Sequence, residues 1–480
     1  MSIDLTLERI GQLSRQFYYS RPTIHVAGTN GKGSVTTILA SILHASAYKV
    51  GRFNSPHLVS IHDCITINDE PVTLELYRSC REQVEQADRE CGSGASSFEL
   101  LTVTALLVFE KANVDIAVIE VGMGGRLDAT NVLPDQCILV SALTSVDLDH
   151  QAFLGDTVDL IAREKAAIAR RGIPFVLGSQ KHASVRSNVE GVVLQRGGIV
   201  IPSIPVHLWA GKPGLSSFSL SARPFVPPPG QPIEFSSDAF DSPVRAILPL
   251  HGAHQLDNLS VALTIISTLL THPSTSFTRD HLHAITIDTV RTGIEKTSWP
   301  GRLSFHTLPR PITSGSIGDP LLVLVDGAHN PASAEALATY TSHFTTLCAR
   351  PLDITYILAL SHSPPKTPLQ TLSPLLSLHG PTSIVTANVG VLRFTPPEGM
   401  PWVKSVAPSV LRETVVHLVP HTHVWAVQDD ASPDGQLQQA LEWAELQASR
   451  CRDEGREHLV VLAGTLYLVA DFYRVLERLV

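Results

Sequence analysis

The stretch Thr23-Ile24-His25-Val26-Ala27-Gly28-Thr29-Asn30-Gly31-Lys32-Gly33-Ser34 decides how the first part of the chain folds. It joins a short apolar run, residues 23–27, to a helix-like segment, residues 34–45, through a glycine-rich turn. A strand, a glycine turn and a helix start form a phosphate-binding loop, because backbone N–H groups and the helix N-terminus attract anions. Lys32 can reach the terminal phosphates and Ser34 can hold Mg²⁺, so the predicted ligand is ATP.

The spacing of this loop differs from the common pattern G-x-x-x-x-G-K-[ST]. Val26 stands where the first glycine of that pattern lies, and Gly33 separates Lys32 from Ser34. This difference disfavours an ordinary kinase or GTPase loop. The alternative of a chance glycine-rich turn is also disfavoured, because a strand precedes the turn and a helix follows it.

Length and composition exclude several classes of protein. A chain of 480 residues exceeds one ordinary core, and 44% apolar with 17% charged residues indicates a globular protein of two domains. A net charge of −9 without a basic patch disfavours nucleic acid as a partner. The six cysteines lack paired spacing, so we expect free thiols rather than disulfides or zinc ligands.

Targeting signals and membrane spans are not expected. Residues 1–15 lack the apolar core of a secretory signal, and no run approaches about 18 uninterrupted apolar residues. We therefore expect no membrane partner and a cytoplasmic protein, with a mitochondrial location left open.

Strands alternate with helix-like segments in two parts of the chain, which predicts an α/β fold with mainly parallel sheets. The predicted strands of the first part are 23–27, 115–121, 137–143 and 174–177, and those of the second part are 321–325, 354–360, 383–386, 423–426 and 458–462. We place the domain boundary at residue 303, so that residues 304–480 form a Rossmann-like α/β domain. Segment 202–241, rich in Pro, Ser and Phe, predicts loops or short antiparallel strands, and segment 310–320 predicts a surface loop.

Glu120 is the first candidate metal ligand. It ends the apolar strand predicted at 115–121 and precedes the glycine-rich run 122–131. A carboxylate at the carboxyl end of a strand beside a phosphate loop is well placed to bind Mg²⁺. The alternative is an acid at a strand end that merely faces solvent. The glycines favour the metal ligand, because they let a bound molecule approach the backbone closely.

A series of motifs resembles the dihydrofolate synthase and folylpolyglutamate synthase family of Mur-ligase-like, ATP-dependent amide ligases. In chain order they are the phosphate loop, Ser55-Pro56-His57-Leu58, Glu120 with Gly124-Gly125-Arg126-Leu127-Asp128-Ala129-Thr130-Asn131, Asp149-His150, Glu164-Lys165-Ala166, His254-Gln255 with Asn258, Trp299-Pro300-Gly301-Arg302, Asp326-Gly327-Ala328-His329-Asn330-Pro331 and Gly464-Thr465-Leu466-Tyr467. The resemblance covers nearly the full chain. It implies an ATP- and pterin-binding domain of P-loop ATPase type at 1–303 and a glutamate-binding domain at 304–480.

The resemblance implies roles for individual residues around ATP. Ser34 and Glu120 would hold Mg²⁺, His150 a second Mg²⁺, and Lys165 would be a carbamylated lysine that supplies an oxygen ligand. The implied ATP-binding residues are Gly28, Thr29, Asn30, Gly31, Lys32, Gly33, Ser34, Asn258, Arg302 and Asp326. The implied catalytic residues are Lys32, His150, Lys165 and His329. A monovalent cation such as K⁺ is a further implied cofactor.

Structural alternatives stand beside these roles. The alternative for Lys165, which follows Glu164, is a surface lysine in an exposed helix. The alternative for His150 is an ordinary core or surface histidine. Asp326 and Asn330 would form an Asx turn in any case.

The resemblance also implies a pterin site in the first domain. Asp128 would pair with the amino-pyrimidine edge and Phe98 would offer an aromatic face to the ring, with a core role as the alternative for Phe98. The remaining implied pterin residues are Ser55, Pro56, His57 and Ala129.

The implied reaction joins the amine of L-glutamate to a carboxylate that ATP has activated as an acyl phosphate. The acid would be 7,8-dihydropteroate or, in a folylpolyglutamate synthase or a bifunctional enzyme, a folate that already bears glutamate. Segment 60–68 resembles fungal dihydrofolate synthases, with Asp63 where an arginine is often found. An acid there suits a substrate with fewer carboxylates. We therefore expect Asp63→Arg to favour glutamylated folates without harming the reaction of dihydropteroate.

The expected partners are these small molecules, and the expected state is a monomer. A catalytically inert nucleotide-binding protein is the alternative from another class. The presence of Lys32, Glu120, His150 and Lys165 disfavours it.

Overall fold

The computed structural model describes residues 6–209, 220, 225–278, 284–309, 320–377, 384–400 and 402–479. Contacts divide the chain into two compact units. The first unit comprises Met1–Ala210, Gly230–Pro249 and His254–Trp299, and the second comprises Gly211–Pro229, Leu250–Ala253 and Pro300–Val480. The short segment Leu250–Ala253 belongs to the second unit because His251 packs against Phe305 and Tyr340.

The strands of the first unit form two sheets. They are β1 (Thr23–Ala27), β2 (Val50–Phe53), β3 (Ile65–Ile67), β4 (Glu70–Pro71), β5 (Ile116–Glu120), β6 (Ile138–Leu143), β7 (Pro174–Leu177), β8 (Ile199–Pro202), β9 (His207–Leu208), β10 (Gln231–Phe235) and β11 (Val244–Leu248). The larger sheet has the order β4-β3-β2-β5-β1-β6-β7-β8, and only its β2-β3 and β3-β4 pairs are antiparallel. The smaller antiparallel sheet has the order β11-β10-β9, so β9 and β10 fall within the segment 202–241.

Helices accompany the large sheet. They are α1 (Glu8–Ser14), α2 (Lys32–Ala45), α3 (Leu74–Cys91), α4 (Ser97–Lys111), α5 (Gln151–Leu154), α6 (Val158–Ala166), α7 (Ala183–Gln195), α8 (His254–Thr271) and α9 (Ile287–Lys296), with 3₁₀ helices at Ile61–Cys64, Ala129–Val132, Asp135–Cys137 and Pro273–Thr278. Every residue of β1 and β5 is buried, as expected for central strands of a parallel sheet covered on both faces. The carboxyl ends of these two strands carry the candidate site.

The second unit contains one six-stranded sheet. Its strands are β12 (Ser304–Leu308), β13 (Leu321–Val325), β14 (Leu352–Leu358), β15 (Ile384–Val391), β16 (His423–Ala426) and β17 (Glu457–Ala463), in the order β12-β13-β17-β14-β15-β16. Strand β12 pairs antiparallel with β13, and the other pairs are parallel. The helices are α10 (Pro331–Leu347), α11 (Pro368–Ser377), α12 (Pro408–Leu418), α13 (Gln436–Asp453) and α14 (Leu466–Leu479).

The expected α/β fold with mainly parallel sheets is confirmed in both units. All six cysteines are free thiols, as the lack of paired spacing predicted. Of the predicted loop 310–320, only Pro320 is among the described residues. In the part of the chain that the structure describes, no helix is both long and apolar enough to cross a lipid bilayer.

Candidate active site

The phosphate loop connects β1 to α2. Gly28 has φ 150° and Gly31 has φ 90°, backbone conformations that other residues rarely adopt. A Cβ atom at Gly28 would collide with the hydroxyl of Thr144, and one at Gly31 would collide with the side-chain oxygen of Asn258. The loop therefore requires glycine at both positions. Asn258 lies against Gly31, and its implied contact with ATP stays a prediction.

Residues 144–147, which follow β6, form hydrogen bonds with the phosphate loop. The backbone N–H of Thr29 donates to the carbonyl of Ser145 at 2.8 Å, and the Thr29 hydroxyl accepts from the N–H of Asp147 at 3.1 Å. The Thr144 hydroxyl donates to the carbonyl of Asn30 at 2.6 Å. These bonds fix the loop before any ligand binds, which reduces the entropy lost on binding phosphate.

Lys32 and Glu120 meet at this loop. Glu120 ends β5, whose register places it beside Val26 of β1, and the residue is 5% exposed. The Lys32 Nζ atom lies 3.7 Å from Glu120 Oε1 and donates to the carbonyl of Thr29 at 3.2 Å. Because Glu120 is buried, the alternative of an acid that faces solvent does not hold.

These residues fit a magnesium ion. Ser34 is buried in the first turn of α2, and its hydroxyl and the Glu120 carboxylate are two candidate oxygen ligands. Mg²⁺ takes one or two protein oxygens of this kind and completes its shell with phosphate and water. The described residues contain no group of three or more His, Cys, Asp or Glu side chains that could hold a metal ion.

Sequence reasoning missed two linked residues, Asn54, which contacts Glu120, and Arg52, which contacts Asn54. Asn54 follows β2, and its amide nitrogen donates to Glu120 Oε2 at 2.6 Å. Arg52, within β2, donates from Nη1 to the Asn54 carbonyl oxygen at 2.6 Å. Asn54 directly precedes Ser55, where the predicted substrate segment begins. No signal in the local sequence could have found the pair, because residues 50–53 contain no apolar run.

Lys165 is buried rather than exposed. It lies near the end of α6, is 3% exposed, and donates from Nζ to the carbonyl of Gly28 at 2.9 Å. Burial, with a smaller effect of the nearby Lys32 charge, lowers the pKa of Lys165 to about 7. The alternative of a surface lysine does not hold. A large fraction of its amine is neutral near neutral pH, which is the form that reacts with CO₂.

His150 lies at the surface. It precedes α5 with φ 51°, and its backbone N–H donates to the carboxylate of Asp149 at 2.9 Å. The residue is exposed, so an ordinary surface histidine stays open beside the implied metal role.

The carboxylate of Asp128 accepts hydrogen bonds from backbone N–H groups of the same chain. The residue is 3% exposed, and its carboxylate accepts from the N–H of Met123 at 2.7 Å and from the N–H of Thr130 at 2.9 Å. It caps the 3₁₀ helix Ala129–Val132, and burial raises its pKa. A structural role is therefore present, and pairing with a pterin stays a prediction.

The other pterin candidates lie in the same unit. Phe98 is half-buried and stacks on Phe53 with ring centres 6.2 Å apart, so the core alternative for Phe98 holds. His57 is buried, whereas Pro56 is exposed. Ala129, directly after Asp128, is buried as well.

Asp63 has a structural role that was not expected from the sequence. Its carboxylate accepts from the N–H of Ser60 at 2.8 Å and from the N–H of Val59 at 3.1 Å, forming a capping box on the 3₁₀ helix Ile61–Cys64. The carboxylate thus anchors the chain just after the motif 55–58. The expectation that an arginine here leaves the reaction of dihydropteroate unharmed stays a prediction, and arginine would also lack an acceptor for these two N–H groups.

Asp63→Arg is expected to lower the free energy of unfolding by about 1 kcal/mol, the usual cost of losing a helix cap. Urea denaturation of the full chain measures this change. Asp63→Asn is the matched control, because its amide oxygen can still accept from Ser60. An arginine variant as stable as the unmodified protein would contradict the capping role.

In the second unit, Asp326 follows β13. Its carboxylate accepts from the N–H of Leu303 at 2.9 Å and from the N–H of Ala328 at 2.8 Å. Burial raises the pKa of Asp326, and the charge of Arg302 opposes that effect. The Asx-turn alternative therefore holds for Asp326, and a nucleotide contact stays a prediction.

The start of α10 carries the remaining candidates. Asn330 caps this helix by accepting from the N–H of Ser333 at 2.9 Å, which is again the structural alternative. His329 donates from Nδ1 to the carbonyl of Gly327 at 2.9 Å, and its own carbonyl accepts from Lys366 Nζ at 2.9 Å. No motif in the sequence pointed to Lys366.

Comparison with known proteins shows the family to which this chain belongs. A family model described as the C-terminal domain of dihydrofolate synthetase matches residues 314–475. The chain is 34% identical to the dihydrofolate synthetase of Saccharomyces cerevisiae over 99% of this chain and 98% of the yeast protein. It is 31% identical to the probable dihydrofolate synthetase of Schizosaccharomyces pombe over 99% of both chains. The chain belongs to the dihydrofolate synthase and folylpolyglutamate synthase family. The resemblance seen in the motifs is thereby confirmed.

A solved structure of the family shares the fold. The bifunctional folylpolyglutamate synthase/dihydrofolate synthase of Yersinia pestis, complexed with AMPPNP and a Mn ion, aligns with a TM-score of 0.72 at 22% identity. The alignment covers 99% of this chain and 95% of the Yersinia chain. The Mur-ligase-like fold expected from the motifs therefore extends over the full chain.

Proposed function

We propose that this protein is a dihydrofolate synthase, a ligase that joins L-glutamate to 7,8-dihydropteroate at the expense of ATP. The observation that carries the proposal is the ion pair of half-buried Lys32 with buried Glu120 at the glycine loop. Two fungal relatives, matched over nearly their full length, are named dihydrofolate synthetase and probable dihydrofolate synthetase. The products are dihydrofolate, ADP and phosphate.

The loop binds and polarises the nucleotide. Backbone N–H groups at the start of α2 contact the phosphates, and Lys32 neutralises negative charge that grows on the γ-phosphoryl group. Ser34 and Glu120 would hold Mg²⁺. When bound, this ion supplies positive charge to the phosphate oxygens in the transition state. Asn258 against Gly31, and Arg302 and Asp326 in the second unit, are the further proposed ATP contacts.

The chemistry has two displacement steps. A carboxylate oxygen of dihydropteroate attacks the γ-phosphorus, the bond to the β-phosphate oxygen breaks, and ADP leaves with an acyl phosphate formed. The neutral α-amine of L-glutamate then attacks the acyl carbon, phosphate leaves, and the amine loses a proton. We assign glutamate to the second unit near His329, and pterin to Asp128, Phe98 and the segment 55–57 of the first.

Lys165 is proposed to act as a carbamate. Its neutral amine adds CO₂ and loses a proton, which converts a nitrogen donor into carboxylate-like oxygens suited to Mg²⁺. Support comes from its burial and from the lowering of its pKa to about 7. A second Mg²⁺ at His150, a K⁺ site and a monomeric state rest on the family resemblance alone.

A panel of acids tests which substrate is used. With ATP, Mg²⁺ and L-glutamate, we expect kcat/KM for dihydropteroate to exceed that for tetrahydrofolate monoglutamate by about tenfold or more, a difference that needs only about 1.4 kcal/mol. ADP release and product mass measure the reaction, and assays without glutamate control for simple ATP hydrolysis. Comparable values would indicate a bifunctional enzyme, and a preference for the folate would indicate a folylpolyglutamate synthase.

A further inference from the structure

A buried row of polar side chains ends on Glu120. Arg52 lies in β2, which pairs in parallel with β5, the strand that carries Glu120. Arg52 is 6% exposed and Asn54 is 5% exposed. Burying a guanidinium and an amide in a sheet is costly unless partners satisfy them, so their contacts decide what they do.

Three hydrogen bonds fix the orientation of the Asn54 amide. Its nitrogen donates to Glu120 Oε2 at 2.6 Å and to the Thr36 hydroxyl at 2.7 Å, while its oxygen accepts from Arg52 Nη1 at 2.6 Å. A reversed amide would place oxygen against the Glu120 carboxylate and NH₂ against a guanidinium, which only donates. Arg52 therefore determines which end of Asn54 faces Glu120.

Arg52 is held in turn by several neighbours. Its Nη1 also donates to the Thr37 hydroxyl at 3.1 Å, and its Nε lies 3.8 Å from a carboxylate oxygen of Asp69. Its guanidinium carbon lies 5.0 Å from the centre of the Trp299 ring, a cation–π contact. The same indole borders the phosphate loop, because a Cβ atom at Gly33 would lie 2.8 Å from it.

The two oxygens of Glu120 consequently have different surroundings. Oε2 accepts from Asn54, whereas Oε1 lies 3.7 Å from Lys32 Nζ at the phosphate loop. We propose that Arg52 and Asn54 are positioning residues that hold the Glu120 carboxylate so that Oε1 faces the divalent cation of the nucleotide. This rests on the proposed function in one respect, that Glu120 is a metal ligand. A carboxylate with one oxygen engaged offers a single ligand atom, which suits the small octahedral shell of Mg²⁺.

Metal binding tests the proposal without the ligase reaction. Asn54→Leu keeps the size of the side chain and removes its hydrogen-bonding groups. We expect the full chain carrying it to bind Mn²⁺ in the presence of ADP about tenfold or more weakly, as measured from the electron paramagnetic resonance signal of free Mn²⁺. Arg52→Met should weaken binding too. Arg52→Lys should restore part of it, because an ammonium group can still donate to the Asn54 oxygen.

Thr66→Val is the matched control. Thr66 faces Arg52 in the β2-β3 ladder and is 5% exposed, and its hydroxyl has no hydrogen-bond partner among the described residues. The Thr66→Val variant should bind Mn²⁺ with the affinity of the unmodified protein. Thermal unfolding measurements show whether each variant is folded. A folded Asn54→Leu variant with unchanged Mn²⁺ affinity would overturn the proposal, and so would an equal loss in Thr66→Val.

Two further comparisons cover the cases in which Asn54→Leu does not fold or the proposed reaction does not occur. If Asn54→Leu does not fold, equal Mn²⁺ affinities for Arg52→Met and Arg52→Lys would overturn the proposal, because only lysine retains a donor for Asn54. Failure of the proposed function is distinguished separately. A protein that binds Mn²⁺ with ADP as expected but ligates glutamate to none of the tested acids would refute the assigned reaction and leave the positioning role intact.

Discussion

Glu120→Gln is expected to lower kcat for ligation by about 100-fold or more while the protein stays folded. Glutamine keeps the size of the side chain and an oxygen that can accept from Asn54, so the buried network is preserved. It removes the negative charge that faces Lys32 and the divalent cation, and this charge matters most when the γ-phosphoryl group transfers. Initial rates of ADP release at saturating dihydropteroate and glutamate measure the loss.

Glu82→Gln is the matched control for this substitution. Glu82 is exposed on α3, away from the phosphate loop, so its loss of charge should leave kcat within about twofold. Raising Mg²⁺ separates two explanations of a Glu120 defect, since weakened metal binding recovers at high Mg²⁺ and lost transition-state stabilisation does not. A Glu120→Gln enzyme with a near-normal kcat would place the metal elsewhere.

Lys165→Ala is expected to lower kcat by about 100-fold, with part of the activity restored by acetate. The substitution leaves space where a buried side chain stood, and acetate can supply the oxygens of the missing carbamate in that space. Lys165→Met is the matched control, because it fills the same space and should gain nothing from acetate. Full activity of the alanine variant would refute the role of Lys165.

The pH dependence of the unmodified enzyme follows from the same lysine. Only the neutral amine adds CO₂, and with a pKa of about 7 its neutral fraction falls as pH drops through that value. Carbamate and activity should therefore decline together below about pH 7. The alanine variant rescued by acetate has no lysine amine at this position, so its activity should not show this decline below about pH 7.

The phosphate loop and Glu120 could be predicted from local sequence. Residues 23–34 carry strand, turn and helix signals in order, and Glu120 ends a run of apolar residues that only a buried strand would show. Lys165 could not be recognised in this way. Its neighbours Arg163 and Glu164 make it look like part of an exposed helix face, and only tertiary packing buries it. The family resemblance, rather than the residues, singled it out.

Strand β2 and its polar residues were missed for a related reason. The sequence Val50-Gly51-Arg52-Phe53 has no apolar run and contains a glycine, which disfavours a strand by local propensity. Packing requires that glycine, because a Cβ atom there would lie 2.5 Å from the ring of Phe109. Asp63 was different, since Ser60 and Asp63 have the spacing of a capping box and local chemistry alone could have identified it.

The glycines of the phosphate loop also bear on how the protein is made. Gly28 lies against Thr144, Gly31 against Asn258 and Gly33 against Trp299, so the walls of the loop come from parts of the first unit far along the chain. In a chain growing from the ribosome, the loop sequence is made before these walls, which are complete only when Trp299 has been added. Nucleotide therefore cannot be held by the complete loop before that point, and until then this unit depends on its own apolar core.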